Sequence, residues 1–329
     1  MKDLIKSLVE AWGPSGYEHH VRELIRGYAE PYADSIEVDA LGNLICRVGQ
    51  GDGKQRIMVA AHMDEIGLIA TFQEPRSGYL RFTPLGGLIH TTLHGSRVRF
   101  ENGVTGVIGA PEPLGSSRQN APDLESFYID ISDGDGAGAV APGTAAAFWR
   151  PFEERGTRLI AKSMDDRIGC VVALEAMRLL AKETPHEVYF AFTVQEEVGI
   201  RGARPAAHSI DPDIAIALDV TQAGDEYKGE RNGIKLGGGA AIKVQDPGLV
   251  VPPAIRDWMI ARAEADGIPY QLELLKAGTT DAAQIQSVRA GVPSGCISIP
   301  CRFVHTTSET VDLRDVEACV QLLTGLLKH

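Results

Sequence analysis

The sequence predicts an α/β fold: a mixed sheet flanked by helices, with a small all-β domain inserted into the main one. Three observations predict it. Apolar strand-like runs alternate with helical periodicity in residues 1–69 and again in 156–329, which implies a largely parallel sheet covered on both faces. Between 70 and 155 the helical periodicity disappears, and short β-rich runs alternate with Gly, Pro, Asp and Asn. The chain has 329 residues, 44% of them apolar and 23% charged, enough for a large core and more than one domain.

The elements follow in order. Leu4, Ile5, Leu8 and Val9 form one helical stripe, and Val21, Leu24 and Ile25 a second; Gly13-Pro14-Ser15-Gly16 separates them. Strands are expected at 35–38, 44–48 and 56–61, the last running directly into His62-Met63-Asp64-Glu65-Ile66-Gly67. In the β-rich block, strands are expected at 96–100, 105–108 and 127–131, and the Gly/Ala-rich stretch 134–147 reads as a loop. Beyond it, 166–182 reads as an amphipathic helix with Ile168, Val172, Ala176 and Leu179 on one side. A strand at 187–193, a helix at 203–208 and a strand at 214–218 follow. Helices at 253–266 and 281–290 flank further strands, and 313–327 is the last helix. No internal repeat is evident.

Composition excludes several classes. A formal net charge of −12 disfavours nucleic acid, whose phosphates need clustered Lys and Arg. No apolar run approaches the ~20 residues of a membrane span. The charged start, Met1-Lys2-Asp3-Leu4-Ile5-Lys6, does not resemble a signal peptide, so a cytoplasmic protein is expected. Five scattered cysteines without a Cys-x-x-Cys pair suggest neither a disulfide framework nor a thiolate zinc site.

In a sheet of this kind, active residues gather beyond the carboxyl ends of the strands. Four motifs fall there: His62-Met63-Asp64, Gln195-Glu196-Glu197-Val198-Gly199, Leu218-Asp219-Val220 and Val304-His305. A fifth, Asp165-Asp166-Arg167, opens a helix. Singly, each has an ordinary explanation. His62 reads as a satisfied structural histidine, and the aspartates 165 and 166 as helix caps. Glu196-Glu197 reads as solvated turn charge, Asp219 as a loop cap, and His305 as one residue of a polar loop. Together these explanations weaken. His and carboxylate ligands without Cys suit a catalytic zinc, cobalt or manganese. His62, Asp165, Glu197, Asp219 and His305 are too many ligands for one catalytic ion and about right for two, bridged by a carboxylate at about 3.5–4 Å.

At these residues the sequence resembles the M42 metallo-aminopeptidases, relatives of the M18, M20 and M28 zinc exopeptidases. The matching text also includes Pro14-Ser15-Gly16-Tyr17-Glu18, Lys162-Ser163-Met164-Asp165-Asp166-Arg167, Val194-Gln195-Glu196-Glu197-Val198-Gly199-Ile200-Arg201-Gly202, Leu218-Asp219-Val220-Thr221, Leu236-Gly237-Gly238-Gly239 and Gly278-Thr279-Thr280-Asp281-Ala282. The order and spacing of the motifs carry the resemblance more than any one of them. One departure is His305-Thr306-Thr307-Ser308-Glu309, where the family often has His-Ser-Pro.

The resemblance implies a zinc-exopeptidase fold and two divalent metals per subunit, zinc first and cobalt second. His62 and Asp219 would hold one ion, Glu197 and His305 the other, and Asp165 would bridge. Asp64 would orient His62, and Glu196 would act as general base. It also implies a cis peptide at Asp165–Asp166, and peptide substrates bound by their free N-terminus. The inserted domain would be a dimerisation domain, in dimers that assemble into a hollow dodecamer. Arg231, Lys235, Lys276 and Arg302 fall in segments that could line a specificity pocket. Three rival readings remain open: an amidohydrolase or deacylase with the same metals, a glycosidase, and a non-catalytic assembly. Two histidines among the acids speak against a glycosidase, which needs only two carboxylates, and a general base is superfluous in a storage shell.

Overall fold

In the computed structural model, residues 1–49, 55–75, 77–111, 122–132, 140–229 and 232–329 are described. Helices α1 (Lys2–Glu10) and α2 (His19–Ala29) lead into strands β1 (Ser35–Val38), β2 (Leu44–Val48) and β3 (Arg56–His62). Six strands follow: β4 (Gly67–Gln73), β5 (Leu80–Leu85), β6 (Arg97–Phe100), β7 (Thr105–Gly109), β8 (Tyr128–Asp130) and β9 (Ala145–Phe148). The chain returns through β10 (Glu153–Arg155), β11 (Arg158–Ala161), α3 (Met164–Leu180), β12 (Glu187–Thr193), α4 (Ala203–Ile210) and β13 (Ile214–Gln222). It ends with β14 (Ala240–Gln245), α5 (Pro253–Ala265), β15 (Tyr270–Leu274), α6 (Asp281–Ile285), β16 (Ser294–Arg302), β17 (Glu309–Asp312) and α7 (Leu313–Lys328).

The main sheet runs β1-β2-β12-β3-β13-β16-β17-β11-β10, with β14 beside β16 and β15 beside β14. Its centre, β12-β3-β13-β16, is parallel, so four strand ends share one edge. Apart from the parallel pair β14–β15, the flanking pairs are antiparallel, which corrects the expectation of a largely parallel sheet. Part of the reason is short connections: the turns from β1 to β2 and from β10 to β11 are too short to cross over. Asp39 closes the first of these turns by accepting the backbone N–H groups of Leu41, Gly42 and Asn43 on Oδ1.

Both faces of β3 are covered. Ile57, Val59 and Ala61 join the core under α1, α2, α3, α5 and α7, while Met58 and Ala60 join the smaller core under α4 and α6. A strand buried on both sides reads as a continuous apolar run, as 57–61 does. Strands β4 to β9 close a separate barrel in the order β4-β5-β8-β7-β6-β9. It is filled by Phe82, Phe100, Phe127, Phe148 and aliphatic neighbours. No helix among the described residues is long and apolar enough to cross a membrane.

Several elements differ from their sequence patterns. Ala145–Phe148, expected in a loop, is strand β9; its small buried alanines pair with β4 and β6, where packing overrides their weak strand preference. Residues 134–139 of that stretch lie outside the described residues. Leu24 is 40% exposed and Leu179 38% exposed, so neither belongs to its helix's buried stripe. Helix α3 stops at Leu180 because Ala181 and Lys182 take left-handed conformations. Helix α6 stops at Ile285; turns replace it, and Arg289 is left-handed. Strand β13 continues past Asp219 to Gln222, held by β16.

Candidate metal centre

The four parallel strands deliver the predicted residues to one cleft. His62 is the last residue of β3, and Glu196 and Glu197 follow β12 by three and four residues. Asp219 lies in β13 beyond the point where its pairing with β3 ends at Ala217. His305 follows β16 in a left-handed conformation (φ 62°). Asp165 comes from the start of α3, where residues 165 and 166 depart from helical geometry and the peptide between them is cis.

Asp165 stands between the two histidines. Its Oδ1 lies 3.1 Å from Nε2 of His62, and its Oδ2 lies 3.3 Å from Nε2 of His305. Nε2 of His305 is also 3.2 Å from Oε2 of Glu197. His62, Asp165 and Glu197 present ligand atoms within 4.8 Å of one another, and so do His62, Asp166 and Asp219. Asp166 reads from sequence only as a helix cap. Here its Oδ1 accepts the Gly169 N–H, while Oδ2 is buried without a hydrogen-bond partner.

Asp64 organises the strand ends. Its Oδ1 accepts the Glu196 N–H at 3.0 Å and lies 3.4 Å from Nδ1 of His62. Its Oδ2 accepts the Glu197 N–H at 3.1 Å and the Ser15 hydroxyl at 2.6 Å. The Pro14–Glu18 motif thus buttresses the acidic loop, since Glu18 also accepts the Gln195 N–H. Glu309 does the same on the far side, accepting the N–H groups of Asp165 and His305. Glu65 lies beneath the cleft, buried with Lys162 at 2.7 Å and Arg167 at 3.4 Å. Removing one partner of such a buried set would leave a stranded charge, a loss of about 3–5 kcal/mol. Sequence reading missed Glu309 and the structural work of Glu65; each is one carboxylate in a polar run, with no local signal for a distant partner.

The electrostatics are those of crowded buried acids. Burial, then the charge of Asp219, pushes Asp166 well up; burial raises Glu196 and Asp219 in the same way. Glu197 is raised by burial and by Asp165. Asp281, which accepts the Thr193 hydroxyl, is pushed by burial up to about 6. Burial works against a charged His305, but Asp165 and Glu197 outweigh it and push its pKa up to about 12. His62 is likewise raised well above its ordinary value against its own burial, by Asp165 and Asp64. Buried carboxyls so crowded call for positive charge, and Oε1 of Glu197, like Oδ2 of Asp166, is buried without a hydrogen-bond partner. Histidine and carboxylate donors with unpartnered oxygens fit divalent metal ions.

A cavity of about 630 Å³ opens over these residues, lined by Asp165, Glu196, Glu197, Asp219, Lys243 and His305 among others. That volume suits a small molecule or a short peptide end. The barrel contributes Gly87, where any Cβ would come 3.1 Å from the His305 ring. Of the four candidate pocket cations, Lys276 lines the cavity. Lys235 does not, and Arg302 is paired with Asp225 at 2.7 Å. Arg231 lies outside the described residues. Lys243, not expected from sequence, is fully buried in the wall against Glu273 and Asp246.

The model of the M42 glutamyl aminopeptidase family matches residues 42–322. A protein of Acetivibrio thermocellus, provisionally called an aminopeptidase, is 44% identical over 326 residues, covering 98% of this chain and 97% of its own. The crystal structure of a TET aminopeptidase from a marine sediment archaeon, Thaumarchaeota archaeon SCGC AB-539-E09, superposes with a TM-score of 0.94 at 36% identity, covering 100% of this chain and 96% of that one. The TET1 peptidase of Pyrococcus horikoshii, described as assembling into a tetrahedron or a large octahedral shell, superposes with a TM-score of 0.87 at 33% identity, covering 99% and 98%.

Proposed function

The chain belongs to the M42 family of aminopeptidases, and from that premise we propose that it removes N-terminal residues from peptides at a dinuclear metal site. One observation carries the reading: the two carboxylate oxygens of Asp165 face two different histidines, as a bridging carboxylate's would. His62 and Asp219 would hold one ion, Glu197 and His305 the other, with Asp165 shared. Asp166 lies close enough to the first group to support it. Two divalent cations held there, zinc or cobalt, would supply Lewis acidity toward the scissile carbonyl and a water molecule.

The remaining work falls to the chain. Glu196 lines the cavity, with its Oε2 4.0 Å from Nε2 of His62. It takes the proton of the attacking water and passes it to the leaving amine as the C–N bond breaks. Asp64 holds the backbone of Glu196 and the ring of His62 in register. Surplus carboxylates around the ligands attract the free α-amine of the substrate, which confines attack to the first peptide bond.

The barrel serves as a dimerisation domain inserted at about 70–155 into a catalytic domain of 1–69 and 156–329, and the dimers build a closed shell like that described for the Pyrococcus horikoshii relative. We assign the protein to the cytoplasm, where its five buried, unpaired cysteines stay reduced. The test is metal-reconstituted enzyme assayed on aminoacyl-nitroanilides and on their N-acylated counterparts. Hydrolysis only of the free amines, abolished by a chelator, is expected. Preference for the acylated compounds would favour a deacylase, and chelator-resistant turnover would remove the metals from the reading.

A further inference from the structure

Outside the cleft, a second group of ligand-type side chains meets at the seam between the helical unit and the barrel. His19 opens α2, His20 follows it, and Glu101 begins the turn between β6 and β7. Nε2 of His19 lies 3.0 Å from Oε1 of Glu101, and Nε2 of His20 lies 3.4 Å from the same oxygen. All three ligand atoms fall within 4.8 Å of one another. We propose that His19, His20 and Glu101 form a second, surface metal site that takes a borderline divalent cation such as Zn²⁺ and ties the β6–β7 hairpin to α2.

Three features favour a metal over a simple ion pair. Consecutive residues of a helix do not normally share a face. Here both rings turn to one carboxylate oxygen, with ring centroids 4.1 Å apart. Two protonated imidazoles held so close would repel, whereas two neutral ones present lone pairs to a shared cation. The spacing also suits the ion: ligand atoms at about 2.0–2.1 Å from a tetrahedral zinc lie about 3.4 Å from each other. The surroundings are fixed before any metal arrives. Trp12 packs edge-on against both rings, at 6.5 and 5.9 Å, and its indole N–H donates to the Arg99 carbonyl of β6 at 2.9 Å. The side chains are about half exposed, which leaves the outer coordination positions to water. Two imidazoles and one carboxylate are donors that zinc accepts.

The site shares no residue with the cleft, so its test is independent of the peptidase reading. Enzyme loaded with two equivalents of zinc per chain, enough for the cleft alone, is titrated with further Zn²⁺ by calorimetry. Wild type is expected to bind one further ion per chain. His20→Ala and Glu101→Gln are each expected to weaken that step by about 10-fold or more, since even outer-shell partners of a metal are worth that much. Peptidase turnover should stay at the wild-type level in both variants. With the cleft already loaded, further Zn²⁺ should raise the melting temperature of wild type but not of Glu101→Gln. If wild type takes up no further ion, or if both variants take it up with unchanged affinity, the site does not exist.

Discussion

Glu309 holds the backbone of Asp165 in place: its Oε2 accepts the Asp165 N–H at 3.1 Å. The other oxygen of the same carboxyl accepts the His305 N–H at 2.8 Å. One buried side chain therefore sets the separation of two proposed metal ligands from different elements. A glutamine at this position has one acceptor in place of two. Glu309→Gln should lower metal affinity about 10–100-fold and reduce kcat with it, while the thermal transition stays cooperative. Wild-type metal affinity and kcat in that variant would show that Glu309 merely fills space.

Glu196 is assigned the proton transfers. Glu196→Gln should keep both metals and lose turnover by about 10²–10⁴-fold, the usual contribution of a general base. Metal content by elemental analysis and kcat on one aminoacyl-nitroanilide are the two readouts. A variant that turns over near the wild-type rate would move the role to another carboxylate.

Asp165 faces both histidines, so its loss should be felt on both sides. Asp165→Ala is expected to reduce metal below one ion per chain, whereas Asp219→Ala should spare the ion on the His305 side. Unchanged metal content in Asp165→Ala would refute the bridge.

Asp312 gives a pH prediction away from the metals. Its side chain caps α7 through the Arg314 N–H and pairs with Arg158 at 3.0 Å and Arg314 at 2.8 Å. Burial alone would raise its pKa, but the hydrogen bonds from Arg314 and Thr157 outweigh it and bring it down to about 2. A depressed carboxyl contributes stability above its unfolded value and loses it as pH falls through its folded value. The melting temperature of wild type should exceed that of Asp312→Asn above about pH 4, with the gap closing toward pH 2. Arg314 is 61% exposed, so solvent screening keeps the gap modest. A gap independent of pH would mean that the charge of Asp312 does not carry the effect.

The proposed assembly predicts a native mass near twelve times the 35.3 kDa chain by light scattering with metal present. A monomer under those conditions would contradict the closed shell.

Much of the architecture was legible because its signals are local. Residues 57–61 announce a strand buried on both faces by their unbroken apolar run. Strand β9 was not legible: three consecutive alanines carry almost no β signal, and only the barrel interior makes them a strand. Leu24 and Leu179 show the reverse case. Their spacing fits the helical period, yet each lies at the margin of the buried face and stays more than a third exposed.

The sequence by itself determined which residues offer ligand chemistry and in what order they occur, since side-chain type and strand-end position need no partner to be recognised. Only the tertiary structure decided that Asp165 stands between His62 and His305, that Glu309 reaches back to hold two of these residues, and that Asp166 brings a ligand atom close to His62 and Asp219. The physical reason is separation along the chain. His62 and Asp165 are 103 residues apart, and the parallel crossovers that bring their strand and helix ends together leave no mark in either local sequence.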